Sequence, residues 1–206
     1  LMSLGMHRLW KKRFVETIDL KENEIILDVG SGSGDIASEI LKENLPTSLY
    51  LLDLNEEMLL EGRKRLKKEK NIKYFIGNAE KLNFENNFFD KYTISFCLRN
   101  VTEYLLSIKE AYRVLKPGGK YCCLEFSTPK SSLVSSSYKI YKSKILPLLG
   151  EIVAKDKNAY KYLSESIDLF PSQEELSKNL RDCGFTKVET INLFNGIVAI
   201  HTGYKL

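Results

Sequence analysis

Apolar positions along this chain follow two rhythms, and the switches between them outline the fold. From 3 to 19, Leu4, Trp10, Phe14, Val15 and Ile18 recur at helical spacing, with Arg8, Lys11, Lys12 and Arg13 on the wet side. Short apolar runs then predict strands at 25–30, 49–55, 72–76, 92–97 and 120–126. Helical segments fall between them, at 35–44 closed by Pro46, at 56–68 capped by Asn55, and at 103–116 stopped by Lys116-Pro117-Gly118-Gly119. Pro171-Ser172-Gln173-Glu174 opens a last helix that Cys183-Gly184 ends. Two strands follow, at about 186–193 and 197–205, joined through the hairpin signal Asn195-Gly196. Strands alternating with helices predict an α/β fold with a mostly parallel sheet and an antiparallel last strand. We expect one domain over residues 1–206, with an insertion at 128–168 too long for a simple crossover.

The stretch from Ile25 to Asp35 reads I-I-L-D-V-G-S-G-S-G-D, a buried strand that breaks into a glycine loop before a helix. Gly30, Gly32 and Gly34 let the backbone turn sharply and admit a ligand where a Cβ would clash. The spacing is G-x-G-x-G, and Asp28 and Asp35 flank it, so a pyrophosphate would meet two carboxylates. S-adenosylmethionine, with no phosphate and two cationic groups, fits better. Asp53 ends the second strand, 19 residues after Gly34, where a carboxylate can take both hydroxyls of a ribose. After the third strand, Asn78 and Ala79 can read the edge of adenine. Arg99 and Asn100 follow the fourth strand and project toward the crevice, although an arginine there can equally be a structural ion-pair partner. Glu125, an acid in an apolar strand, is either that partner or a site residue.

Composition narrows the class only a little. The chain is 43% hydrophobic and 28% charged, as ordinary globular proteins are. Cysteines 97, 122, 123 and 183 form no C-x-x-C pair and read as reduced thiols of a cytosolic protein, with no metal site expected. The residues given show no signal-peptide pattern and no apolar run of about 18 residues, so no membrane-spanning segment is expected within them. The formal charge of +4 is too small to imply nucleic acid, and no aromatic-basic array appears. Placement matters more: residues 130–162 hold seven lysines against Glu151 and Asp156, interleaved with Tyr138, Tyr141, Ile145 and Leu149. That pattern suits either a lid with a solvated face or a surface that meets anionic lipid. His7 has no partner in sequence and reads as a surface or capping residue.

The order of these features resembles the ubiquinone/menaquinone biosynthesis C-methyltransferases, of the class I S-adenosylmethionine fold. The resemblance covers nearly the whole chain. It rests on M-S-L-G-M-H-R-L-W-K at 2–11, the glycine loop, D-L-N-E-E-M-L at 53–59, N-A-E-K-L at 78–82 and T-I-S-F-C-L-R-N-V-T at 93–102. Further matches are R-V-L-K-P-G-G at 113–119, L-E-F-S at 124–127, Y-x-Y-L-x-E-S-I at 160–167 and G-I-V-A-I-H-T-G at 196–203. It implies a Rossmann-like sheet of seven strands and methyl transfer from S-adenosylmethionine to a ring carbon of a polyprenylated benzoquinol or demethylmenaquinol. Family cofactor contacts fall on Ser33, Asp53 with Leu54 beside it, Asn78-Ala79 and Ser95. Family members carry a longer segment before M-S-L-G, which this sequence lacks, and often a threonine where Ser33 stands. Arg99 and Asn100 are expected to position and stabilise a developing phenolate, with Glu125, Asp156, Tyr160 and His201 as weaker candidates for moving protons. The expected setting is cytoplasmic, peripheral on the inner face of the membrane, with oligomeric state open. Alternatives are a methyltransferase for another small molecule or nucleic acid, and a non-catalytic scaffold of a quinone-synthesis complex.

Overall fold

The computed structural model describes residues 6–45, 47–127 and 157–206. Helix α1 (Met6–Ile18) leads into β1 (Ile25–Val29), α2 (Asp35–Ile40), β2 (Ser48–Asp53), α3 (Glu56–Arg65) and β3 (Ile72–Ile76). The chain continues through β4 (Phe89–Ser95), α4 (Tyr104–Val114), β5 (Leu115–Phe126), α5 (Lys157–Leu169), α6 (Gln173–Asp182), β6 (Thr186–Leu193) and β7 (Val198–Tyr204). The strands form one sheet in the order β3-β2-β1-β4-β5-β7-β6. Pairings from β3 across to β5 are parallel, whereas β7 runs antiparallel to both neighbours. The antiparallel strand predicted at the chain's end is therefore internal to the sheet, and β6 forms the edge.

Alternation along each strand divides the core between the two faces of the sheet. On β1, Leu27 and Val29 pack with Ile108, Ala111 and Val114 of α4 and with Leu176 and Leu180 of α6. Ile26 faces the other way, toward Phe14 of α1, Ile36 of α2 and Leu59 of α3. The helical spacing of Trp10, Phe14, Val15 and Ile18 is the buried stripe of α1. Asn55 caps α3 by accepting from the Met58 N–H at 3.2 Å, and Ser172 caps α6 by accepting from Glu175.

Three boundaries differ from the sequence pattern for local reasons. Lys116-Pro117-Gly118-Gly119 does not separate α4 from β5, because Leu115 already pairs with Phe89. A register irregularity then absorbs the proline and glycines before Lys120 meets Lys91. Strand β4 starts at Phe89 for the same reason, ahead of the predicted residue 92. Between β6 and β7 the turn is a short helical one over Phe194–Gly196, with Phe194 and Asn195 both left-handed. The four cysteines are free, and burial pushes the thiols of Cys97 and Cys122 up to about 12. Of the insertion, residues 128–156 lie outside those described. Among the described residues no helix is long and apolar enough to cross a membrane.

Candidate functional site

Strand order reverses between β1 and β4, and in an open parallel sheet the crevice forms past the carboxyl ends of the strands at that point. The loop after β1 carries Gly30, Gly32 and Gly34, all with positive φ. The loop after β4 carries Phe96, Cys97 and the turn Leu98–Asn100. They touch: a Cβ added to Gly30 would lie 2.2 Å from the Cys97 Sγ. On its other side the glycine loop meets α3, where a Cβ on Gly62 would come within 3.3 Å of the Ser33 carbonyl carbon. The loop is thus held from both sides, with Ser33 part of its wall.

Asp53 ties this loop to the end of β2. One carboxylate oxygen accepts from the Gly32 N–H at 2.7 Å, and the other from the Asn55 N–H at 2.8 Å. Each oxygen keeps a lone pair, so the carboxylate is oriented while still able to accept two hydroxyls. Leu54, beside it, leaves 68% of its surface exposed and supplies an apolar wall. Past β3, Asn78 accepts from the Glu80 N–H at 2.9 Å, which folds its side chain over the turn. Ala79 is buried in the same turn. Ser95 ends β4, opposite Leu124 of β5.

The residue order predicts two free carboxylates flanking the glycine loop, and the structure corrects this. Partial burial works against the charge of Asp35, but hydrogen bonds from Lys11 and Arg65 outweigh it and hold that carboxyl below its ordinary range. Its charge is neutralised by side chains of α1 and α3 and does little to repel a phosphate. Asp28 is fully buried, and desolvation pushes its carboxyl up to about 7 despite a 2.8 Å hydrogen bond from the Thr93 hydroxyl. Among the described residues, its second oxygen, Oδ2, meets no hydrogen-bond partner, and neither does the buried hydroxyl of Ser31 in the glycine loop. Orphaned buried groups of this kind at a ligand loop fit a cofactor with cationic and hydroxyl groups.

Arg99 and Glu125 form a buried ion pair at 2.8 Å. Glu125 also accepts from the backbone N–H groups of Arg99 and Phe126. Burial raises its carboxyl above the ordinary range while these partners pull it back. The same guanidinium nitrogen donates to the Phe96 carbonyl, and the group lies 5.4 Å from the Phe126 ring centroid. Asn100 is exposed, and its Oδ1 accepts from the Tyr162 hydroxyl of α5 at 3.3 Å. Tyr162 was not among the residues singled out from the sequence; its only signal was its place in Y-x-Y-L-x-E-S-I. His201 sits inside the sheet opposite Cys123, 3.2 Å from the Gln173 carbonyl, and is not brought to the loop ends. Asp156 and the side chain of Tyr160 lie outside the described residues.

Replacing Gly30 by alanine puts a side chain at φ +63° against Cys97. We expect a loss of about 2 kcal/mol or more of stability. Denaturant midpoints at constant slope measure it, and an unchanged midpoint would mean that the two loops do not pack as described.

Comparison with known proteins places the arrangement. The model of the ubiE/COQ5 methyltransferase family matches residues 1–205. The ubiquinone/menaquinone biosynthesis C-methyltransferase UbiE of Rickettsia bellii is 49% identical over all of this chain and 86% of its own length; that of Rickettsia prowazekii matches equally well. Among solved structures, a SAM-dependent methyltransferase from Aquifex aeolicus superimposes with a TM-score of 0.70 over 97% of this chain and 93% of its own, at 19% identity. A Haemonchus contortus phosphoethanolamine N-methyltransferase in complex with S-adenosyl-L-methionine gives 0.72 over 95% and 52%, also at 19% identity. These likenesses carry the fold, and the family model and the relatives carry the family: this chain belongs to the ubiE/COQ5 methyltransferase family.

Proposed function

We propose that this chain transfers a methyl group from S-adenosylmethionine to a ring carbon of a polyprenylated benzoquinol or of demethylmenaquinol. The observation that carries this reading is the match, over the whole of this chain and 86% of theirs, to relatives named as ubiquinone/menaquinone biosynthesis C-methyltransferases, at 49% identity. The crevice supports it: Asp53 is oriented by two backbone N–H groups to receive a ribose, and Asn78-Ala79 stands one strand further for adenine.

When bound, the cofactor supplies an electrophilic methyl on a sulfonium. The side chains contribute orientation and charge. Ring carbon becomes a strong nucleophile once a ring hydroxyl is deprotonated, so the site must favour phenolate. Glu125 holds the Arg99 guanidinium in place, and a fixed, buried guanidinium lowers the energy of negative charge nearby. Asn100 lies at the mouth. With Oδ1 taken by Tyr162, its amide N–H groups are left to donate to a ring oxygen.

Arg99→Ala leaves Glu125 buried without its counter-ion, which costs about 3–5 kcal/mol. The double variant Arg99→Gln with Glu125→Gln keeps the pocket neutral. Both should lose about 100-fold or more in turnover with cofactor affinity kept; near-normal turnover of either would remove Arg99 from the mechanism.

The substrate tail is a membrane lipid, and residues 130–162 carry a net +5 on an apolar background. We propose that this segment contacts anionic bilayer. Flotation with anionic liposomes should show binding that charge reversal of Lys139, Lys142 and Lys144 abolishes. Binding that survives the reversal, or none at all, would contradict it.

A further inference from the structure

The turn after β3 stands beside Asp53, and one side chain governs it. Ile76 pairs with Asp53, and the Gly77 N–H donates to the Asp53 carbonyl at 3.1 Å. Asn78, Ala79, Glu80 and Lys81 then form a tight turn, closed by the Lys81 N–H donating to the Asn78 carbonyl at 3.1 Å. Within it the Asn78 amide is held at both ends by Glu80. Its Oδ1 accepts from the Glu80 N–H at 2.9 Å, and its Nδ2 donates to Glu80 Oε2 at 3.2 Å. The other carboxylate oxygen, Oε1, accepts from the Glu103 N–H at 2.8 Å, at the start of α4. One carboxylate is thus an acceptor for both the helix and the amide. Beyond the turn the chain has separate fastenings. Leu82 donates to Glu110 and accepts from Arg113, each at 2.8 Å, and the Phe84 carbonyl accepts from Arg113 at 2.8 Å. Loss of the Glu80 carboxylate therefore leaves this loop joined to α4 and releases the amide.

From this geometry we infer that Glu80 is a positioning residue: it fixes which end of the Asn78 amide is oxygen, and so makes the turn select an amino-purine over an oxo-purine. The inference rests on the proposed reading of Asn78-Ala79 as the adenine seat. An amide presents an acceptor beside a donor, and it discriminates between bases only when the order of the two is fixed. After the contacts with Glu80, Oδ1 keeps one lone pair and Nδ2 one N–H. Adenine complements that pair with the donor of its exocyclic amino group and the acceptor of a neighbouring ring nitrogen. Hypoxanthine carries a carbonyl oxygen in place of the amino group and would set it against Oδ1. A flipped amide would welcome that oxygen. Flipping, however, would turn Nδ2 toward the Glu80 N–H and Oδ1 toward the Glu80 carboxylate, donor against donor and acceptor against acceptor. Glu80 thus works by excluding the amide orientation that would take the wrong base.

Calorimetric titration of the chain with S-adenosylhomocysteine and with S-inosylhomocysteine, which differ only in the purine, reads this selection directly. The unaltered chain should prefer the adenosyl compound by about tenfold or more. Glu80→Gln offers one acceptor where two donors need one, and its amide can meet a flipped Asn78, so the preference should fall by about fivefold or more. Asn78→Asp alone sets a second carboxylate against that of Glu80 and should weaken the adenosyl compound about tenfold. Combining Asn78→Asp with Glu80→Gln reverses the polarity of the contact, the new amide donating to the new carboxylate. That double variant should recover both adenosyl affinity and preference to within about threefold of the unaltered chain. A Glu80 that merely supported α4 would weaken both compounds alike when replaced. An unaltered chain without preference, a preference that Glu80→Gln leaves unchanged, or a double variant no better than Asn78→Asp would overturn the inference and leave the cofactor site standing. Failure of the unaltered chain to bind S-adenosylhomocysteine would overturn the site and the inference together.

Discussion

Everything at the mouth of this sheet depends on one hydrogen bond from the Gly32 N–H to the carboxylate of Asp53. It joins the loop after β1 to the end of β2 and fixes the direction in which Asp53 presents its remaining lone pairs. The second oxygen, held by Asn55 at the start of α3, prevents rotation. Gly30 packs against Cys97, so the same loop also sets the distance to the end of β4, where Arg99 begins. A carboxylate that merely capped α3 would need only the bond to Asn55. The bond to Gly32 makes it part of the glycine loop.

Charge at this end of the molecule is managed pair by pair. Asp35 is matched by Lys11 and Arg65, and Glu125 by Arg99 and two backbone donors. Such burial is costly, and removing one member of a buried pair costs more than the pair contributes. Its use here is positional. Glu125 holds Arg99 across the end of β5, so that a cation stands near the crevice without freedom to swing out. Asp28 is the exception: among the described residues its Oδ2 meets no hydrogen-bond partner.

What could be read from the residues and what could not divide along sequence distance. The seven strands, the cap at Asn55, the hairpin near Asn195 and the placement of Asp53 follow from local patterning. The acid within the apolar run of β5 even announced the Arg99–Glu125 pair, because a buried carboxylate requires a partner. The neutralisation of Asp35 was not legible, since Lys11 and Arg65 lie 24 and 30 residues away and their approach depends on how α1 and α3 pack. The same holds for Tyr162, 62 residues from Asn100. The sign of the cofactor's charge was inferred from two flanking acids, of which one turns out to be spoken for.

The most direct test of this account is the affinity of Asp53→Ala for S-adenosylmethionine, measured by calorimetry on protein whose denaturant midpoint shows it to be folded. Loss of the oriented carboxylate removes two charge-assisted hydrogen bonds to the ribose and loosens the glycine loop, so affinity should fall by about 100-fold or more. A folded Asp53→Ala protein that binds within about threefold of the unaltered chain, less than ~1 kcal/mol, would contradict the account at its centre.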